Sequence, residues 1–256
     1  MSSGMSTPSD SLREVYERRA ELEYAEPVAL PDPRTSRKFE RIVDLVAGTL
    51  PADSLLDAGC GDGRFLAAVA RLPDRPPRLA GTDISERILV TAARWAARDG
   101  FEVELVRANL ESLPFPDGSF ARVLSVQVIE HLLDPEAGLR ELARVLQPGG
   151  RLILSTDSAQ NTVSRVLNAP RAGLVRALGL RGRRLHVHFP HRDFGLDEIG
   201  RMVEATGLVV EHRETFAFHV DGLSLPWVTR ALVAADRALS PHSLGDIVAL
   251  VARKPS

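Results

Sequence analysis

Three glycines at alternate positions, Gly59, Gly61 and Gly63, follow an apolar run in the order Leu55-Leu56-Asp57-Ala58-Gly59-Cys60-Gly61-Asp62-Gly63. That spacing turns a buried strand ending at Asp57 into a helix and lets the backbone approach a ligand closely at the strand's carboxyl end. A nicotinamide dinucleotide would ask for another glycine where Arg64 stands. A phosphate loop would need a Gly-Lys-Ser or Gly-Lys-Thr ending, which the segment lacks. The pattern therefore points to a nucleoside without a pyrophosphate. Asp57 agrees, because a carboxylate beside the loop repels phosphate and welcomes an ammonium group. A second acid, Asp83 in Gly81-Thr82-Asp83-Ile84-Ser85, ends the next apolar run. There a carboxylate can accept both hydroxyls of a ribose. A turn made only for packing is the other reading of the glycines, and the position of Asp83 weighs against it.

Such residues need a frame that gathers strand ends. Apolar runs at 54–58, 78–82, 102–108, 122–126 and 151–156 alternate with amphipathic stretches near 64–71, 86–99 and 136–146. The last of these stretches is expected to stop at Pro148-Gly149-Gly150. This rhythm predicts a doubly wound α/β fold, a mostly parallel sheet with helices on both faces. Upstream, Ser11 to Glu14 fits a capping box, so a helix is expected from Ser11 to before Pro27. A second helix is expected to bury Phe39, Ile42, Val43 and Val46. Downstream, a helix over 197–206 precedes strands over 208–218 and 246–252, with a helix over 227–239 between them. Residues 1–10 read as a disordered tail and 11–53 as N-terminal helices covering the pocket. The main domain then runs over 54–256.

The 256 residues are 44% hydrophobic and 26% charged, which excludes wholesale disorder. Arg and Lys total 32 against 34 Asp and Glu, so no global basic field exists to hold nucleic acid. Lys38 and Lys254 are the only lysines. The single cysteine, Cys60, excludes an intrachain disulfide and a multi-cysteine zinc site. No apolar run has the length of a membrane span, and the first residues lack the pattern of a secretory signal. The composition reads as that of a soluble, cytoplasmic protein.

Five ordered motifs carry a family resemblance: LLDAGCGDGRF at 55–65, GTDIS at 81–85, ANLESLPFPDGSF at 108–120, SVQVIEHLLDP at 125–135 and RVLQPGGRLILST at 144–156. Together they resemble class I S-adenosylmethionine-dependent methyltransferases, in the branch typified by ubiquinone and menaquinone biosynthesis enzymes. The resemblance implies a Rossmann-like sheet of seven strands with the last antiparallel, and S-adenosyl-L-methionine as cofactor. It places Asp57, Gly59 and Gly61 around the methionine part, with Cys60 as the small residue between the glycines. Asp83 matches the ribose-binding acid and Ile84 the apolar residue against adenine. Asn109 and Leu110 match the pair that meets the adenine edge and face. The family usually has aspartate where Asn109 stands, yet an amide oxygen can still accept from the adenine amino group. Ala121 also departs from the family's usual aspartate. Gln127 falls just beyond the fourth strand, facing the place where cofactor and acceptor meet.

The acceptor is a small molecule on this reading, with O-methylation of a quinone, lipid or secondary-metabolite type favoured. Nucleic-acid methylation and a catalytically inactive binding domain remain the alternatives. His131 is the candidate general base, or else it caps and orients the loop together with Glu130. Gln127, Glu130, His131 and Asp134 also resemble the Glu-x-x-Glu-His pattern of metal-dependent RNA 2′-O-methyltransferases. Gln127 is a poor ligand and adjacent residues 130 and 131 point apart on a helix, so no metal site is assigned. The stretch 158–192 holds seven arginines, three histidines and no acid. It reads as a basic lid that clamps an anionic acceptor, touches an anionic membrane, or is merely a solvated face.

Overall fold

The computed structural model describes residues 13–18, 37–159, 191–216 and 245–256, with Ala234 and Ala238 besides. Seven strands form the centre: β1 (Ser54–Ala58), β2 (Arg78–Asp83), β3 (Glu104–Arg107), β4 (Phe120–Val126), β5 (Leu146–Asp157), β6 (Val209–Phe216) and β7 (Ile247–Arg253). Their order is β3-β2-β1-β4-β5-β7-β6. The first five pair in parallel, and β7 runs antiparallel to both β5 and β6. This is the expected doubly wound sheet with its last strand reversed. Every residue of β1 is buried, as a central strand between two helical layers requires.

The helices are α1 (13–18), α2 (Arg37–Ala47), α3 (Arg64–Val69), α4 (Glu86–Asp99), α5 (Pro135–Val145) and α6 (Leu196–Glu204). One face of the sheet packs Leu55, Leu124 and Ile153 against Ile42, Val46, Leu66, Leu89 and Trp95 of α2, α3 and α4. The other packs Leu56, Val123 and Leu152 against Leu139, Leu142, Val145, Ile199 and Val203 of α5 and α6. Neighbours Leu55 and Leu56 thus feed opposite cores, the period-two alternation of a strand. Each fully buried side chain of this size contributes roughly 1.5–3 kcal/mol. Ser85 caps α4 by accepting from the Ile88 amide, and Asp134 caps α5 by accepting from Ala137.

Three expectations need correcting. The helix over 136–146 ends at Val145, and Pro148-Gly149-Gly150 lies inside β5 rather than after a helix. The extra residues are absorbed by a register shift between Phe120 and Arg122, with Gly149 at positive φ. The third strand is shorter than 102–108, because it is a half-exposed edge and Phe101 turns into the core before it. On α2, Leu45 is buried and Val43 only half-buried. The tail 1–10, most of the helix expected before Pro27, and residues 160–190 of the basic stretch lie outside the described residues. So does the helix expected over 227–239, apart from Ala234 and Ala238, which are helical. Among the described residues, no helix is long and apolar enough to cross a membrane.

Candidate active site

The sheet order reverses at β1, whose neighbours are β2 and β4, and crevices of open α/β sheets form at such switch points. A cleft of about 390 Å³ opens there at the carboxyl ends of the strands. Gly59, Cys60, Gly61, Asp83, Ile84, Asn109, Leu110, Gln127 and His131 all line it. Asp57 does not. It lies beneath the loop, 1% exposed.

Gly59 and Gly61 both sit at positive φ, the left-handed region where a side chain is strained. A Cβ on Gly59 would come within 2.3 Å of Val128 Cγ2, so this glycine lets the loop touch the start of the turn after β4. A Cβ on Gly61 would point into open cleft, its nearest neighbour Ile88 Cδ1 at 3.7 Å. One glycine is spent on packing and the other leaves room for a ligand.

Asp83 lines the cleft and also holds the loop in place. Its Oδ2 accepts from the Gly61 amide at 3.0 Å and its Oδ1 from the Ser85 amide at 3.0 Å. The acid therefore ties the glycine loop to the start of α4, with further lone pairs for hydroxyl donors. Burial lifts its pKa to about 6 against the pull of these backbone bonds. Asp57 is pushed higher, to about 8, first by burial and then by Asp83 and Asp62. Its Oδ2 has no hydrogen-bond partner. Asp57, Asp62 and Asp83 thus surround one loop, and one oxygen of Asp57 is buried there without a partner. Asp62 is occupied, held by Arg64 through bonds of 2.7–3.2 Å. Asn109 closes a turn, its Oδ1 accepting from the Glu111 amide at 3.0 Å. Burial pushes the Cys60 thiol well above its ordinary pKa, which suits a small packing residue and not a nucleophile.

The far wall follows β4 and β5. Gln127 has a φ of 56°, a strained value for a residue other than glycine. Its amide, oriented to pair donor with acceptor, gives to Asp157 Oδ1 at 2.6 Å and accepts from the Asp157 amide at 3.2 Å. The short helical turn Ile129–His131 follows. Glu130 is 1% exposed; Oε2 accepts from Thr156 Oγ1 at 2.9 Å and Oε1 has no partner. Burial, helped by Asp157, raises its pKa to about 7. The His131 ring stands 5.3 Å from that of His191 and 6.3 Å, edge-on, from that of Tyr16 on α1. Lys38, Glu130, Asp157 and Tyr16 also line the cleft, and sequence reasoning did not place them there as a group. The signal available for Lys38 was its rarity, one of two lysines.

The quartet weighed as a metal site is not assembled: Asp134 caps α5 and Gln127 binds Asp157. Among the described residues, Asp157, His191 and Asp193 bring ligand atoms within 4.8 Å at the rim of the cleft. His191 already meets Asp193 at 3.1 Å and Asp157 is engaged by Gln127.

Residues 56–154 match the methyltransferase domain family. The chain is 40% identical over 103 residues to the ubiquinone biosynthesis O-methyltransferase of Caulobacter sp. (strain K31), covering 40% of each chain. It is 32% identical over 193 residues to a probable S-adenosylmethionine-dependent methyltransferase of Mycolicibacterium smegmatis, covering 73% of this chain and 64% of that one. For most of the curated relatives it matches, the chain spans less than half of their length, 38% at the lowest. Among solved structures, the [4+2]-cyclase SpnF superposes with a TM-score of 0.61 at 22% identity, covering 95% of this chain and 93% of that one. The glycine loop and Asp83 lie inside 56–154, which is thus a methyltransferase domain by its family match. The likeness to a cyclase shows that this fold alone does not fix the chemistry.

Proposed function

We propose that the chain binds S-adenosyl-L-methionine and transfers its methyl group to a hydroxyl of a small molecule. One observation carries the cofactor reading: the unpartnered, buried Asp57 Oδ2 beneath the glycine loop. A ligand ammonium seated on the loop above it would act on that carboxylate by charge without touching it, while the ribose hydroxyls would meet Asp83 and the adenine would lie between Ile84 and Leu110 near the Asn109 amide. When bound, the cofactor supplies an electrophilic methyl on a sulfonium. Gly59, Cys60 and Gly61 would hold its methionyl part and Gln127 the methyl side. A phosphate-rich dinucleotide would instead meet the Asp83 carboxylate on the cleft lining and be repelled.

His131 is the proposed base on the acceptor side, where a neutral imidazole can take a hydroxyl proton. Transfer to oxygen is supported by that placement and by the name of the Caulobacter relative. Calorimetry tests the cofactor: S-adenosyl-L-methionine is expected to bind and NAD not, and the reverse would overturn the reading. The acceptor side is tested with labelled cofactor and a hydroxyl acceptor drawn from host metabolite fractions. His131→Ala should lower turnover on the order of a hundredfold with cofactor affinity unchanged. Weaker cofactor binding with normal turnover would remove His131 from the acceptor side.

A further inference from the structure

Two lysines survive in a chain whose basic residues are otherwise all arginine. Lys254 plays a structural part, since its ammonium donates to the Ala143, Arg144 and Leu146 carbonyls and closes the end of α5. Lys38 plays no such part. It projects from α2 onto the lining of the cleft, and among the described residues its ammonium has no hydrogen bond or ion pair. The other strongly basic side chain on that lining, Arg64, is held by Asp62. The charged groups that act on Lys38 are Asp157 from the end of β5, Glu130 from the turn after β4 and Arg64 from α3. Asp157 is shared with Gln127 and His191, and Glu130 with Thr156. Burial pulls the Lys38 pKa below its ordinary value even with Asp157 and Glu130 nearby, so its ammonium is left under-compensated.

We propose that Lys38 is a catalytic residue for the acceptor: its ammonium binds the acceptor oxygen and holds it as the oxyanion, which makes phenols and enols the acceptor class. The inference rests on the methyltransferase reading above. In the step it implies, the O–H proton passes to the imidazole of His131 and the electron pair stays on the oxygen facing Lys38. That pair forms the new bond to the methyl carbon, and the carbon–sulfur pair leaves with the sulfur, which becomes a neutral thioether. A compact ammonium in a water-poor cleft is suited to localised charge on one oxygen, where a planar guanidinium would favour a carboxylate or phosphate. Phenols ionise near the tyrosine value of about 10, within reach of a base and a neighbouring cation, whereas simple alcohols do not.

The test uses the full chain saturated with S-adenosylhomocysteine and 4-nitrophenol as the probe, followed by its phenolate absorbance. The wild type is expected to bind the phenolate form and to lower the pKa of the bound probe. Lys38→Met should weaken phenolate binding at least tenfold and abolish the pKa shift, with S-adenosylhomocysteine affinity unchanged. Lys38→Arg, which keeps the charge but not the compact ammonium, should bind the phenolate less tightly than the wild type and more tightly than Lys38→Met. Glu130→Gln removes a negative charge that competes for Lys38 above pH 7, where Glu130 is ionised, and should tighten phenolate binding there, a gain that a purely structural Glu130 would not give. No phenolate binding by the wild type, or equal binding by Lys38→Met, overturns the proposal. Failure of the wild type to bind S-adenosylhomocysteine would instead sink the methyltransferase reading itself.

Discussion

The wall of the cleft proposed for the cofactor is made largely of backbone, from the two consecutive strand–turn units after β1 and β2. Gly59 touches Val128, Gly61 leaves space, and Asp83 fastens the loop through two amides. The wall proposed for the acceptor is made of side chains that arrive separately: Lys38 from α2, Glu130 and His131 from the turn after β4, Asp157 from the end of β5 and Tyr16 from α1. A backbone wall is specific for a ligand whose shape never changes, as suits a cofactor. A wall of separate side chains can be altered one residue at a time without disturbing the loop, as suits a variable acceptor.

The largest effect should come from the glycine loop, and the two glycines should fail differently. Gly59→Ala puts a carbon 2.3 Å from Val128 Cγ2 at a positive φ, so it should cost folding itself, read as a loss of several degrees or more in melting temperature. The Cβ of Gly61→Val meets nothing closer than Ile88 Cδ1 at 3.7 Å, so the variant should keep the fold, less the strain of a β-branched residue in the left-handed region. Its side chain fills the volume of the methionyl group, so cofactor binding should fall at least a hundredfold in a protein that still melts cooperatively. A folded Gly61→Val chain with normal affinity would mean that the cofactor does not use this wall.

Next in size is Asp57→Asn. With a pKa of about 8, Asp57 is mostly protonated at pH 7 before the cofactor binds. An arriving ammonium favours the ionised form, so binding should release close to one proton at that pH. Titration in two buffers of different ionisation heat would count it. Asp57→Asn should release none and bind about 1–3 kcal/mol more weakly. The sign for stability is the opposite. The folded pKa lies above the unfolded carboxylate value of about 3.9, so the stability Asp57 contributes is full below pH 4. It is lost as pH rises toward and through 8. The ligand-free Asn variant should therefore gain on the wild type between pH 5 and pH 8. Equal pH profiles would show that Asp57 already has a partner.

This contrast also explains what could be read from the sequence. Asp57 to Gly63 and Gly81 to Ser85 are contiguous, and each does its work within one turn of chain, so residue type and spacing were enough. Lys38, Glu130 and Asp157 meet only because β4 and β5 pair in parallel and α2 folds back over them. No periodicity records such a meeting. Glu130 was named only as a neighbour of His131, since nothing in the sequence shows that one of its oxygens is left without a donor. Pro148-Gly149-Gly150 misled for a related reason. A proline and two glycines read as a stop, yet with Phe120 and Arg122 opposite they form a bulge that lets β5 begin early.

The smallest expected effect lies where the two walls meet, under α1. Glu17 Oε1 accepts from the Glu86 amide at 2.7 Å, and Oε2 accepts from Ser85 Oγ at 3.1 Å and from the Arg87 amide at 3.3 Å. These amides open α4 and would otherwise lack partners, and a carboxylate there also meets the positive end of the helix. The same bonds hold Tyr16, one residue away, over the cleft beside His131. Glu17→Ala hands the two amides to water, at a cost of about 1 kcal/mol. Ser85 Oγ still accepts from the Ile88 amide at 3.3 Å, so α4 keeps its own cap. Hydrogen exchange separates the two contributions: the Glu86 and Arg87 amides should exchange faster in Glu17→Ala while Ile88 stays protected. With α1 released, the cofactor should also dissociate a few-fold faster, since one cover of its cleft is loosened while Asp57, Gly61 and Asp83 remain in place. Faster exchange at Ile88 as well would mean that α4 itself frays, and that α1 supports the fold of the cofactor wall instead of closing it.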